Sequence, residues 1–307
     1  MVYWDNRRVL VTGGSGFIGG HLAASLHSQG AHVTIFDMRQ PRQENFSEYI
    51  AADIVDGAAI RSAVKGIDCV FHLAAMVSVQ GSIDAPEKNF AINYEATKNL
   101  LKASVEAGVG AFLFASSAAI YGDPKYLPVD EKHPLAPMSP YGEAKGHADV
   151  LVRKFGAELA TSALRLFNVY GPGQSDNSPY SGVIALFRKK TLAGENLMIY
   201  GEGSATRDFI HVDDVVLAFT TCAEELLNSG VESRCSGEAF NVCTGELTTI
   251  LELAELCIEM AGPGSEIERL PAREGDIEHS SGSSGKIQSN LEWEAEVSLE
   301  HGLLGIL

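Results

Sequence analysis

Thr-Gly-Gly-Ser-Gly-Phe-Ile-Gly, at Thr12–Gly19, is the stretch that most limits how this chain folds. It follows the aliphatic, β-branched run Arg8–Thr12 and opens a helix-like stretch, Phe17–Gln29. A strand that passes into a helix through three glycines leaves no room for side chains at the turn. Gly13 suits the tight turn, Gly16 lets a pyrophosphate approach the backbone, and Gly19 lets the helix pack closely on the sheet. The helix start then presents free N–H groups and a partial positive charge to the phosphates. Phe17 and Ile18 belong to the same turn.

The first half keeps that strand–helix rhythm. Strand-like runs are Arg8–Thr12, Ala31–Phe36, Tyr49–Asp53, Asp68–Leu73, Ala111–Ser116 and Ser162–Phe167. Helix-like stretches between them are Phe17–Gln29, Gly57–Val64, Pro86–Ala107 and Tyr141–Phe155. The strands are apolar along their whole length, as expected when both faces are covered, so the spacing predicts an α/β fold with a doubly wound parallel sheet of the Rossmann type. Asp37 closes the second strand. A carboxylate there accepts hydrogen bonds from adenosine ribose hydroxyls and repels a 2′-phosphate, which favours NAD over NADP. Arg39, two residues on, would tolerate that phosphate.

Tyr141-Gly-Glu-Ala-Lys145 places a phenol and an ammonium four residues apart, on one face of a helix. A free tyrosine titrates near pH ~10 and is a poor base at neutrality. A fixed cation beside it, or the positive ring of an oxidised nicotinamide, stabilises the phenolate. Lys145 is therefore expected to lower the pKa of Tyr141.

Charge excludes whole classes of function. The chain has 307 residues, of which 45% are hydrophobic, enough for one large α/β domain or two joined lobes. With 40 acidic against 23 basic residues its net charge is −17, which opposes tracking along nucleic acid or docking on anionic membranes. No apolar run reaches the ~20 residues of a membrane span, and Met1–Arg8 lacks a signal-peptide core. The five cysteines, Cys69, Cys222, Cys235, Cys243 and Cys257, are scattered and form no C-x-x-C pair, which fits reduced thiols in a cytoplasmic protein. His211 with Asp213 and Asp214 invites a metal reading. A helix start explains the two acids, and no further ligand is spaced for an ion, so no metal is expected.

After Phe167 the rhythm breaks. Asn168–Pro179 is a loop rich in Gly, Pro, Asp and Asn. Beyond it lie an amphipathic stretch Val183–Leu192, a turn at Gly201–Ser204, and helices near Asp213–Leu227 and Thr248–Met260. Residues 1–168 are expected to form the dinucleotide domain. Residues 169–307 are expected to form mainly a smaller C-terminal substrate lobe over the sheet's C-terminal edge, with some segments returning to the first domain. The run Ser280–Gly285 reads as a mobile surface loop.

Taken in order along nearly the whole chain, these pieces resemble the extended short-chain dehydrogenase/reductase family, in particular its NAD-dependent nucleotide-sugar epimerases and dehydratases. The resemblance is carried by TGGSGFIG at Thr12–Gly19, Asp53-Ile54, HLAA at His72–Ala75, Asn93 and ASSAAIYG at Ala115–Gly122. It continues with SPYGEAK at Ser139–Lys145, RLFNVYGPG at Arg165–Gly173 and RDFIHVDD at Arg207–Asp214, and closes with FNVCTG at Phe240–Gly245 and AREGDIEHS at Ala272–Ser280.

The resemblance implies roles residue by residue. Asp53 and Ile54 flank the adenine, while Leu73, Ala74, Ala75 and Asn93 line the cofactor cleft. Tyr141 and Lys145 also meet the cofactor, and Phe167 faces the nicotinamide. Ser117 binds the reacting sugar oxygen and forms the catalytic set with Tyr141 and Lys145. Asn168 meets the substrate diphosphate, Arg207 and Arg273 clamp it, Asp276 binds the nucleoside, and Tyr200 is a wall for uracil. Val183 also falls among the substrate contacts. Ser280 lies beside the hexose C2 substituent, where a small side chain leaves room for an N-acetyl group.

The departures also inform. The family's dehydratases carry Asp-Glu directly after the residue matching Ser117, whereas this chain has Ala118 and Ala119, so water elimination is not expected. An aspartate usual after the Gly-Asp-Ile segment is replaced within Ser281–Ser283. The implied activity is a UDP-hexose 4-epimerase with tightly bound NAD, acting on UDP-glucose and UDP-galactose and on their N-acetylated relatives. The alternatives are UDP-glucuronate epimerisation or decarboxylation, ketosugar reduction, or a catalytically silent NAD-binding regulator. The implied assembly is a homodimer, paired through Pro86–Ala107 and Tyr141–Phe155 as a four-helix bundle, with Ile92, Leu100, Val105, Val150 and Leu151 in the seam.

Overall fold

The computed structural model describes residues 3–176, 182–262, 264–272 and 277–307. Strands β1 (Arg8–Thr12), β2 (His32–Asp37), β3 (Glu48–Ala51), β4 (Cys69–His72), β5 (Ala111–Ser117) and β6 (Ala160–Leu166) come from the first half. The second half adds β7 (Asn168–Tyr170), β8 (Leu197–Tyr200), β9 (Thr206–Arg207), β10 (Phe209–His211), β11 (Glu238–Val242), β12 (Thr248–Thr249) and β13 (Ile267–Leu270). The first-half helices are α1 (Phe17–Ser28), α2 (Gly57–Ala63), α3 (Val79–Asp84), α4 (Pro86–Phe90), α5 (Ala96–Ala107) and α6 (Pro140–Lys154). Then follow α7 (Val183–Leu192), α8 (Val212–Ser229), α9 (Ile250–Ala261), α10 (Gly285–Leu291) and α11 (Leu299–Leu304). None of these helices is long and apolar enough to cross a membrane.

Seven strands form one parallel sheet in the order β11-β6-β5-β4-β1-β2-β3. Alternation along each strand sends residues to two different cores. Val9 and Val11 of β1, with Leu113 and Ala115 of β5, face α1 and α8. Leu10, Phe112 and Phe114 face α2, α5 and α6. This two-faced burial is why the strands read as unbroken apolar runs. A third core, with Tyr170, Phe187, Leu197, Phe209 and Leu253, belongs to the smaller lobe. The sheet takes its edge strand β11 and its covering helix α8 from beyond residue 168.

Three expectations are corrected. Pro86–Ala107 is not one regular helix: α4 and α5 are joined by a π-helical turn, Ala91–Glu95. Leu100, expected in a dimer seam, is fully buried in the sheet-facing core, and Ile92 lines the cleft described below. Ser280–Gly285 is not a surface loop. Ser281 and Ser284 are buried, and a Cβ on Gly282 would lie 2.6 Å from both the Phe167 ring and the Cys243 sulfur. The backbone is tied in by Val129 N–H donating to Ser281 O (2.8 Å) and Ser283 N–H donating to Val129 O (2.8 Å). Its residues are small because the passage is narrow.

Candidate active site

β1 and β4 are neighbours, yet the chain leaves β1 toward β2 on its other side. Strand order therefore reverses between them, and a crevice opens at their C-terminal ends. A cleft of about 710 Å³ lies there. Of the residues expected to hold the cofactor, Gly13, Gly16, Phe17, Ile18, Gly19, Asp37, Asp53, Ile54, Leu73, Ala74, Ala75, Tyr141, Lys145 and Phe167 all line it. Asn93 does not: it is buried one layer behind, against the backbone of Met76.

The glycine turn is built as the spacing requires. Gly13 has φ +72°, and a Cβ there would stand 2.7 Å from Ala74 N. A Cβ on Gly19 would collide with Gly13 O. Asp37 is aimed by two backbone donors, Ser15 N–H (3.1 Å) and Arg39 N–H (2.9 Å), which leaves carboxylate lone pairs for ribose hydroxyls. The close backbone approach, the helix start and this carboxylate together fit a dinucleotide.

At the inner end stand Ser117, Tyr141 and Lys145. Ser117 ends β5, where its oxygen accepts from Ala119 N–H (3.2 Å), and its hydroxyl acts on the Tyr141 phenol nearby. Tyr141 lies in the first turn of α6, which is capped by Ser139 accepting from Gly142 N–H (3.1 Å). Lys145 Nζ donates to Ala115 O (2.7 Å) and lies 4.5 Å from the Phe114 ring centroid.

The expected lowering of the phenol by Lys145 is not produced by the protein groups alone. Burial raises the Tyr141 pKa, opposed by the Ser117 hydroxyl. Burial also pushes the Lys145 ammonium down to about 7, opposed by the charge of Asp149 one turn on. The larger cause is shared: in the wall of the cleft, where Lys145 is buried and Tyr141 partly so, the charged form loses water.

Of the expected substrate residues, Ser117 and Tyr141 line this cleft, whereas Asn168, Val183, Tyr200, Arg207 and Ser280 do not and lie on the smaller lobe's side. Asn168, Arg207 and Ser280 gather around Thr206–Asp208. Asn168 donates to Asp208 O through both N–H and Nδ2 (3.1 Å each), Ser280 N–H donates to Thr206 O (3.2 Å), and Arg207 Nη1 donates to Thr206 O (2.8 Å). Tyr200 ends β8, and Val183 opens α7 against the third core. Arg273 and Asp276 lie outside the described residues. The sequence reading missed Gln174, Ser175 and Gly182, which also line the cleft. It missed Asp208 as well, whose buried carboxylate accepts from Thr244 N–H and hydroxyl, Gly245 N–H and Gly282 N–H. An aspartate amid apolar residues, in Arg-Asp-Phe-Ile, was the available signal.

Residues 9–243 match the profile of the NAD dependent epimerase/dehydratase family. The chain belongs to that family. It is an NAD-dependent enzyme built on the family's Rossmann-type sheet. It is 34% identical to the UDP-glucose 4-epimerase of Mycolicibacterium smegmatis over 96% of each chain. It is 30% identical to the UDP-glucuronic acid decarboxylase 1 of Danio rerio over 97% of this chain and 71% of that one. Among solved structures it superposes on the UDP-glucose 4-epimerase of Thermotoga maritima, in complex with UDP-glucose, with TM-score 0.89 at 34% identity, covering 97% of each. With the NAD complex of the Thermus thermophilus UDP-glucose 4-epimerase the TM-score is 0.85 at 32% identity, again over 97% of each.

Proposed function

We propose that this member of the family is a UDP-hexose 4-epimerase, interconverting UDP-glucose and UDP-galactose and accepting the N-acetylated pair. The observation that carries the reading is the chemistry beside Ser117. Among the described residues, the titratable side chains lining the cleft are Asp37, Arg39 and Asp53 by β2 and β3, and Tyr141 and Lys145 at the inner end. Elimination of water needs an acid next to the sugar, and the positions after Ser117 are Ala118 and Ala119.

The glycine turn, Asp37 and the Leu73–Ala75 wall would hold oxidised NAD, which would supply a hydride acceptor for the sugar C4 and a positive charge. Tyr141 takes the proton of the C4 hydroxyl and later returns it. Ser117 holds that oxygen and passes the proton to the phenol. Lys145, anchored on Ala115 O, binds the cofactor ribose. Asn168, Arg207 and Arg273 grip the diphosphate, Asp276 and Tyr200 hold the nucleoside, and Val183 adds a further contact, while the 4-keto sugar turns over and presents its other face. A guanidinium fork suits that grip, because it matches phosphate oxygens and keeps its charge when desolvated.

All five cysteines are unpaired thiols, which supports a reducing, cytoplasmic setting. A homodimer through α4, α5 and α6 belongs to the same reading. The deciding experiment supplies UDP-galactose to enzyme carrying one equivalent of NAD, with no cofactor added. Conversion to UDP-glucose is expected. Strict dependence on added NADPH with accumulation of an altered sugar would refute the epimerase, and CO2 release from UDP-glucuronate would identify a decarboxylase instead.

A further inference from the structure

Behind the cleft, buried polar side chains run from the glycine turn to the base of Tyr141. Thr12, His72, Thr97, Asn93, Asn89 and Ser82 are each at most 1% exposed. Ala74 N–H donates to Thr12 Oγ1 (3.3 Å), and Thr12 Oγ1 lies 2.7 Å from His72 Nδ1. His72 Nε2 lies 2.9 Å from Thr97 Oγ1, whose own proton goes to Asn93 O (2.9 Å). Thr97 must therefore accept from Nε2–H, which leaves Nδ1 to accept from Thr12: the chain has one sense and a neutral imidazole.

Its far end is fixed just as firmly. Met76 N–H donates to Asn93 Oδ1 (2.9 Å), so Asn93 Nδ2 faces Met76 O (3.0 Å) and Asn89 Oδ1 (2.6 Å). Asn89 Nδ2 is then the donor to Pro140 O (2.8 Å). Beside it, Ser82 Oγ accepts the Tyr141 N–H (3.1 Å) and donates to Val79 O (2.6 Å). Asn89, Asn93 and Thr97 are spaced by four, a spacing that drifts around a regular α-helix. The wider π turn at Ala91–Glu95 brings the three back into line.

We propose that Asn89 is a positioning residue for the reaction: with Asn93 it holds the first turn of α6, and so Tyr141, at a fixed separation from the cofactor-side wall at Met76. Pro140 is the first residue of α6, so its carbonyl already has an intrahelical partner and needs no second donor to fold. The bond from Asn89 is what ties the helix to the wall. The proposal rests on the reading of Tyr141 as the proton-transfer group.

Asn89→Asp is isosteric and keeps the acceptor for Asn93 while losing the donor to Pro140; Asn89→Ser removes both. Each is compared with wild type by hydrogen exchange of the amides at 141–145, thermal melting, bound NAD, and kcat and KM on whichever UDP-hexose the wild type turns over. Melting should fall somewhat, since each variant disturbs a buried hydrogen bond, but exchange should accelerate at 141–145 beyond the other amides, with NAD content per folded protein unchanged. The kcat should fall by about one to two orders of magnitude at constant KM. Wild-type exchange in a folded variant overturns the proposal, and so does a loss of activity that merely tracks the folded fraction. Should the wild type turn over no UDP-hexose, the functional reading fails, and exchange at 141–145 still decides the role of Asn89.

Discussion

Single residues carry the chemistry, and their environment sets how they respond to change. Tyr141→Phe should keep the fold and the bound NAD while lowering kcat at least about a hundredfold in a steady-state epimerase assay. Ser280→Tyr should abolish turnover of the N-acetylated pair and spare the plain hexoses, because an acetamide cannot share the volume of a phenol ring. Comparing kcat/KM for the two pairs checks it. His72 makes a pH prediction. Burial lowers its pKa to about 3, whereas the unfolded chain binds that proton near 6.5. The unfolded state thus holds the extra proton between those values, and stability falls as pH drops through this window. Urea midpoints across pH 4 to 7 should therefore fall less steeply in His72→Gln than in wild type. The residues lining the cleft were legible because they come as short contiguous motifs whose backbone demands are local. Asn89 and Ser82 were not, since their partners lie about fifty residues or more away in the sequence.

Elements were legible to the degree that burial repeats along them. The strands are covered on both faces, so their apolar runs identify them directly. The break at Ala91–Glu95 leaves no such trace, because Ala-Ile-Asn-Tyr-Glu contains neither Gly nor Pro. The Ser/Gly run was misread because small residues serve two opposite ends, freedom and tight passage, and composition does not separate them. Threaded behind Phe167, this strap makes its own prediction. Gly282→Ala would push a methyl group into Phe167 and Cys243 and should cost about 1–3 kcal/mol of stability. Bound NAD should weaken as Phe167 shifts, which thermal melts with and without NAD would show.

At the scale of the whole molecule, the proposed dimer has a different face from the one read in the sequence. With Leu100 turned inward, the outer surface of α4 to α6 presents Phe90, Tyr94 and His147, packed edge to face or tilted with centroids 4.8 to 6.1 Å apart. Light scattering at micromolar concentration should give a dimer mass, and Phe90→Glu should shift it toward the monomer, since a carboxylate desolvated in an aromatic seam is costly. Loop pairing and lobe placement were legible only as a broken rhythm, because long-range docking is written in contacts rather than periodicity.

β11 reaches back to pair with β6 and so completes the sheet from the other half of the chain. On a translating ribosome, the edge of β6 therefore stays unpaired until residue 242 has emerged, and a nascent chain stalled before that point displays a long apolar strand edge to its neighbours. The two halves of the chain are thus not interchangeable cassettes: the sheet begun by residues 1–168 has its β6 edge covered only by a strand from beyond them.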